Sequence, residues 1–283
     1  MKASLQQASV VEPAYWARHV LEYVTVRQNP DGGYNFARGV ESSAQDTYYA
    51  LAIFNALHAP APHLEATVRW LEKFPADNIY AYFYVAKGLL LSGRHVDDEL
   101  VRRVLSLRRP SGGFGDVDVD VEAYSEFDAT YRATEILREL KVSIDSKPTV
   151  EWLLKFLNPD GGFGAQGGSN LISTFHAVAA LRNLDYPVNQ LAQTLRFVRS
   201  CEKPDGGFTS VPNSALPYLE ETYAGVSTLH MMGETCTYPE ATRGFVLKLQ
   251  NSNGGFRRSF ELGISTFEDT YYALSILRIL GTI

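Results

Sequence analysis

Acidic side chains recur at one kind of place in this chain, just before a threonine that is followed by an aromatic residue. The strings are Asp46-Thr47-Tyr48, Glu126-Phe127-Asp128-Ala129-Thr130-Tyr131, Glu220-Glu221-Thr222-Tyr223 and Glu268-Asp269-Thr270-Tyr271. Carboxylates this close together have three chemical uses. An oxygen set such as Glu220, Glu221 and Asp269 can hold a hard cation, magnesium above all. A carboxyl group kept protonated by burial and neighbours can act as a general acid. An acid in the first turn of a helix can also be purely structural, favoured by the helix dipole at about 0.3–1 kcal/mol. His176, in Thr174-Phe175-His176, can serve as a general base or sit as a satisfied interior histidine. The loop Asp116-Val117-Asp118-Val119-Asp120 alternates as extended chain does, and can meet a cation or simply be solvated. Arg132, Arg38, Arg257 and Arg258 are the candidate partners for an anion.

The 16 Tyr and 15 Phe supply the rest of the chemistry. Tyr49, Tyr84, Tyr131, Tyr223 and Tyr272 all fall on apolar segments with helical spacing. Their faces can solvate an apolar chain by dispersion and attract a cation with about 0.5–2 kcal/mol per ring. Packing between helix layers is the other use of such rings.

These residues are positioned by a repeat. PDGGY (30–34), PSGGF (110–114), PDGGF (159–163), PDGGF (204–208) and SNGGF (252–256) recur at intervals of 80, 49, 45 and 48 residues. The first interval hides one further unit, whose loop is Phe74-Pro75-Ala76-Asp77-Asn78, so six units are expected. In each, an amphipathic helix ends at the Pro-Asp-Gly-Gly turn and a more apolar helix follows after a polar loop. First helices are expected near 13–28, 62–74, 96–109, 147–157, 189–201 and 239–250. Their partners are expected near 44–58, 78–92, 124–140, 171–184, 218–232 and 266–281. Buried helices inside and amphipathic ones outside make two concentric rings, an all-α (α/α)6 barrel over a single domain, 1–283. Closure removes the apolar ends that a stacked repeat would otherwise expose; an open superhelix is the rival arrangement.

The segment Lys-Phe-Leu-Asn-Pro-Asp-Gly-Gly-Phe-Gly (155–164) resembles the repeat of protein prenyltransferase β subunits, and is similar to that of squalene–hopene-type terpene cyclases. The resemblance runs from about residue 13 to 281. It implies an aromatic-walled central funnel holding an isoprenoid chain, with a helical partner subunit in the prenyltransferase case. Prenyltransferases of the family bind zinc through an Asp-x-Cys and a His, and the matching positions here are Glu220, Thr222 and Asp269. Both soft ligands are absent, which argues against a zinc thiolate site. The family's basic diphosphate-gripping stretch corresponds to residues 212–217, which hold no Lys or Arg. Cyclases of the family protonate a double bond with the middle acid of Asp-x-Asp-Asp-Thr. Asp128 with Glu126, and Glu268 with Asp269, each match that motif only in part and are the candidate catalytic residues. Magnesium, on Glu220, Glu221 and Asp269, is the candidate metal.

Bulk properties narrow the choice of partners. A net charge of -6 argues against nucleic acid, which needs a basic footprint. Two cysteines, Cys201 and Cys236, are too few for a disulfide framework and suggest a reducing cytoplasm. No apolar run approaches the roughly 18 residues of a membrane span. The expected function is therefore an isoprenoid-acting protein that binds a prenyl chain or other apolar small molecule. A non-catalytic lipid- or protein-binding ring, and a carbohydrate-active (α/α)6 enzyme, are the alternatives. An axis packed solid with side chains would remove the basis of the isoprenoid expectation.

Overall fold

Glycine pairs end helices here for a steric reason. The first glycine of each pair has a positive φ, and at Gly254 (φ +93°) a Cβ would lie 2.0 Å from the carbonyl oxygen of His19. The turn can therefore press backbone to backbone against a neighbouring outer helix only if the residue is glycine. The same contact recurs around the molecule, with Gly32 against Ala66, Gly112 against Pro148, Gly161 against Gln193 and Gly206 against Ala241. Each turn thus seats on the outer helix of the next unit, and the last turn seats on the first helix.

The computed structural model describes residues 15–115, 123–261 and 263–283, and the side chains of 123–126 and 166 are not among those described. The Asp116–Asp120 loop and the Glu126 side chain lie outside this set. Outer helices are α1 (Tyr15–Thr25), α3 (Leu64–Lys73), α5 (Asp98–Ser106), α7 (Lys147–Leu154), α9 (Ala192–Ser200) and α11 (Pro239–Lys248). Inner helices are α2 (Ala44–Ala56), α4 (Ile79–Leu91), α6 (Ala123–Glu139), α8 (Leu171–Asn183), α10 (Leu219–Met231) and α12 (Phe267–Ile279). Two 3₁₀ turns, at Ala165–Gly167 and Val188–Gln190, were not anticipated. Each inner helix packs on the next in order, and α12 packs on α2, which closes the ring. The seam carries hydrogen bonds as well, from Gln250 Nε2 to the Trp16 carbonyl (2.9 Å) and from the Tyr23 hydroxyl to the Ser265 carbonyl (2.9 Å). The closed barrel, not the open superhelix, is the architecture. Among the described residues no helix is long and apolar enough to cross a membrane.

The inner helices start at defined places because polar side chains cap them. Ser43, Asn78, Asn170 and Thr266 accept from the backbone N–H three residues on, at 2.8–3.0 Å. The turn aromatics Tyr34, Phe114, Phe163, Phe208 and Phe256 are fully buried. Phe127 and Phe267, near the starts of α6 and α12, also pack outward, Phe127 on Trp152 and Phe267 on Tyr23.

Candidate functional site

The threonine in each acid-Thr-aromatic string fixes the register of its helix. Its Oγ1 accepts from the backbone N–H of the turn aromatic: Tyr34 to Thr47 (3.0 Å), Phe114 to Thr130 (2.9 Å), Phe163 to Thr174 (2.9 Å), Phe208 to Thr222 (3.1 Å) and Phe256 to Thr270 (3.0 Å). The next residue then points to the axis in every unit. Tyr48, Phe83, Tyr131, Phe175, Tyr223 and Tyr271 form a closed circuit, one ring per inner helix. Successive centroids lie 5.9, 6.2, 5.5, 5.4, 6.2 and 6.0 Å apart, the last step returning from Tyr271 to Tyr48. These are favourable aromatic separations. The bore is thus lined with aromatic rings as expected, and at this level the rings touch across it; a cavity of about 450 Å³ lies against one side of the layer.

The residue after each of these rings contributes to the same layer: Tyr49, Tyr84, Arg132, His176, Ala224 and Tyr272. Tyr223 and Tyr272 stack at 4.4 Å, and His176 stacks on Tyr131 at 5.4 Å. The Arg132 guanidinium carbon lies 5.0, 4.8 and 5.0 Å from the ring centres of Tyr80, Phe83 and Tyr84. Three aromatic faces thus already hold a permanent cation.

Two positions before the threonines stand Asp128, Glu220 and Glu268, at the mouth formed by the inner-helix N-termini. Asp128 Oδ1 is 2.8 Å from Arg132 Nε and 3.6 Å from His176 Nε2. The arginine contact is ionic and off the N–H axis, since neither atom makes an aligned hydrogen bond. The Arg132 guanidinium is thus the ion-pair partner of Asp128, with His176 beside the pair. Burial lowers the His176 pKa, with Asp128 opposing and Arg132 reinforcing the shift. Glu268 Oε1 accepts from two tyrosine hydroxyls, Tyr49 at 2.8 Å and Tyr272 at 2.9 Å.

Residues immediately before the threonines do structural work. Asp269 Oδ2 accepts from the Thr266 hydroxyl (2.8 Å) while its N–H bonds Thr266 Oγ1, and Asp46 repeats the arrangement with Ser43. This is a variant of the capping box in which the carboxylate accepts from the cap hydroxyl, the cap N–H being taken by the turn aromatic's carbonyl. Glu221 takes the same position without such a cap: it is buried, its Oε2 has no hydrogen-bond partner, and burial raises its pKa. Partial burial, then the neighbouring Glu221, raises Glu220 to about 7, although Arg258 Nη2 lies 3.6 Å away. The Glu220, Glu221 and Asp269 set is not assembled as an oxygen cage. Arg258 faces the two glutamates, Asp269 is turned to its cap, and no three His, Cys, Asp or Glu side chains converge on a metal position among the described residues. Thr222, at the soft-ligand position, is engaged at the Phe208 N–H and the Tyr218 carbonyl.

Burial raises Asp46 and Asp269 to about 6, above their ordinary range. The folded chain therefore holds protons there between about pH 4 and 6 that the unfolded chain has released, so these groups favour folding below pH 4 and lose that contribution as pH rises through 6. Urea midpoints measured from pH 4 to 7 should fall less steeply in Asp46→Asn/Asp269→Asn than in the parent; identical slopes would contradict the assignment.

Three residues of the bore were missed in the sequence: Phe83, Lys87 and Glu135. One helical turn below the ring circuit stand Lys87, Glu135, Ala179 and Ser227. Lys87 Nζ bonds Glu135 at 2.6 Å and also Glu139. Glu135, Ala179 and Ser227 border a cavity of about 450 Å³ at the C-terminal ends of α6, α8 and α10, floored by Tyr131, Phe175, Tyr223 and Tyr271.

The family model for the prenyltransferase alpha-alpha toroid domain matches residues 3–78, 75–237 and 168–283. Drimenyl diphosphate synthase of Streptomyces showdoensis is 26% identical over 76% of the chain, and the chain spans 45% of that synthase's length. Protein geranylgeranyltransferase-I of Candida albicans, complexed with GGPP, superposes with a TM-score of 0.72 at 17% identity, covering 83% of each chain. The type II terpene cyclase MstE of Scytonema, in complex with geranylgeranyl dihydroxybenzoate, gives 0.65 at 12% identity over 95% of this chain and 97% of its own.

Proposed function

The chain belongs to the prenyltransferase alpha-alpha toroid family, and from that premise we propose that it binds an isoprenoid chain against the aromatic layer of its bore and acts on it, with Glu268 as the negative charge facing the reacting end. The observation that carries this is the closed circuit of six rings with the Tyr49 and Tyr272 hydroxyls locked onto one carboxylate. Two matched proteins are described with geranylgeranyl ligands, which supports the ligand class.

The residues favour stabilisation of an allylic cation over protonation of a double bond. Asp128 is ion-paired with Arg132, and Glu268 Oε1 is taken up by two tyrosine hydroxyls, so both carboxylates already have partners on this chain. A carboxylate beside ring faces can offset positive charge developing on a prenyl group. Resident zinc or magnesium does not fit the residues present, for the reasons given above, and no step runs through either. In this proposal residues 1–283 form one toroid domain in a cytoplasmic setting; a helical partner subunit belongs to its prenyltransferase form and not to its cyclase form.

Titration calorimetry with farnesyl and geranylgeranyl diphosphate, followed by mass spectrometry of the products with and without magnesium, tests this. Binding is expected, weakened roughly tenfold in Tyr223→Ala, from about 1.5 kcal/mol per stacked ring. Glu268→Gln should retain binding and lose turnover. Binding with no product in any condition would favour a non-catalytic lipid carrier, as the absence of basic residues from 212–217 also would. Failure of both diphosphates to bind would end the isoprenoid assignment.

A further inference from the structure

The aromatic layer has two polar sides, and only one has been given a role. On the mouth side the hydroxyls of Tyr49 and Tyr272 meet Glu268. On the opposite side the Tyr131 hydroxyl interacts with Glu135, those of Tyr48 and Tyr223 with Tyr271, and Ser227 with Tyr223. That second cluster opens into the cavity of about 450 Å³, within the roughly 300–1,000 Å³ of small-molecule sites. The ring layer separates it from the helix N-termini, so a molecule there occupies different space from one at Glu268.

We propose that this cavity is a second binding site, selective for an organic amine whose ammonium enters between Glu135 and the tyrosine hydroxyls while its apolar body lies on Ala179, Phe175 and Met231. Charge is the first argument. Glu135 and Glu139 share a single ammonium, that of Lys87, and Glu135 is the more buried of the two carboxylates, while the cationic lining, Arg138 and Arg182, stands at the rim. Lys87 is the second: it stands behind the cavity wall, outside the lining, and shows that Glu135 and Glu139 already take an ammonium, whose Nζ is bonded to both carboxylates and lies 5.8 Å from the Phe83 ring centre. Burial alone would lower the Lys87 pKa, but the two carboxylates outweigh it and raise the group. The third is donor supply. Carboxylate and hydroxyl oxygens accept, and an ammonium brings three donors. At the rim, Arg138 is already committed to Asp185 and to the Arg182 and Asn183 carbonyls, while Arg182 is exposed.

Calorimetry at pH 7 with 2-phenylethylammonium, 2-phenylethanol and phenylacetate tests the site, on the whole chain. The amine should bind, and the neutral and anionic analogues should bind at least about tenfold more weakly, the loss expected for one charge-assisted hydrogen bond. Ser227→Trp, which fills the cavity, and Glu135→Gln should each weaken the amine about tenfold or more. Glu268→Gln, across the ring layer, should leave amine affinity unchanged, which separates this site from the isoprenoid one. Arg182→Gln should strengthen the amine. Melting curves identify any variant that fails to fold, and Ser227→Trp and Glu135→Gln stand in for one another in that case. Absence of amine binding overturns the proposal, as do equal or tighter binding of phenylacetate and an affinity indifferent to both variants.

Discussion

Gly254→Ala is expected to cost about 3 kcal/mol or more in urea unfolding, because the new Cβ would sit 2.0 Å from the His19 carbonyl oxygen at a positive φ. Both contributions are unavoidable. The φ of +93° strains any L side chain, and backbone on α1 cannot swing aside as a flexible side chain can. Gly39→Ala is the control. It shares a positive φ (+76°) but has open space around its Cβ, so only the conformational cost of about 1–2 kcal/mol remains. The excess at Gly254 measures the contact between the last turn and the first helix. Equal losses in the two variants would mean that this seam contributes nothing.

Asp128→Ala should destabilise by about 3–5 kcal/mol, the cost of leaving a buried cation without its counter-charge. Arg132 is only 11% exposed, lies among three rings and has Asp128 2.8 Å away. Converting both, as Asp128→Ala/Arg132→Met, should restore most of the loss, since an apolar pair of similar volume needs no compensation. Turnover sharpens the test. If Asp128 were a proton donor, Asp128→Asn would abolish product formation with stability close to the parent. A small loss of stability in Asp128→Ala together with complete loss of product would therefore refute the ion-pair role.

The architecture was legible because its cause is local. A glycine turn that must press on neighbouring backbone is written as two adjacent glycines, and five copies at near-constant spacing gave the period. Even the unit without the turn could be placed from the interval between Gly32 and Gly112. The bore was legible only in part. Asp128 and Arg132, and Glu268 and Tyr272, are pairs four residues apart on one helix, a spacing that brings side chains together, and each residue was noticed singly. Tyr49 with Glu268 joins positions 219 residues apart across the ring, and no local spacing records that. Phe83 and Lys87 escaped because the unit containing α4 has no acid-Thr-aromatic string to align, and Glu135, on α6, because its partner Lys87 lies 48 residues away on another helix. Had the threonines been used as the register, with Phe83 matched to Tyr48 through Tyr82, the six-ring circuit would have followed from counting. The acids beside those threonines were overvalued as chemistry: Asp46 and Asp269 are explained by Ser43 and Thr266, their cap partners.

The meeting of the final turn with the opening helix also bears on how the chain assembles. Contacts between successive hairpins join segments a few tens of residues apart, so they can form early and in any order. The Tyr23–Ser265 bond links residues 242 positions apart and can form only once the units between them have been gathered. Loss of translational freedom across nearly the whole polypeptide falls on this single junction. A nascent chain still lacking α12 has five complete hairpins but leaves the flank of α2 uncovered, so aggregation during synthesis should track exposure of that flank rather than any one of those hairpins.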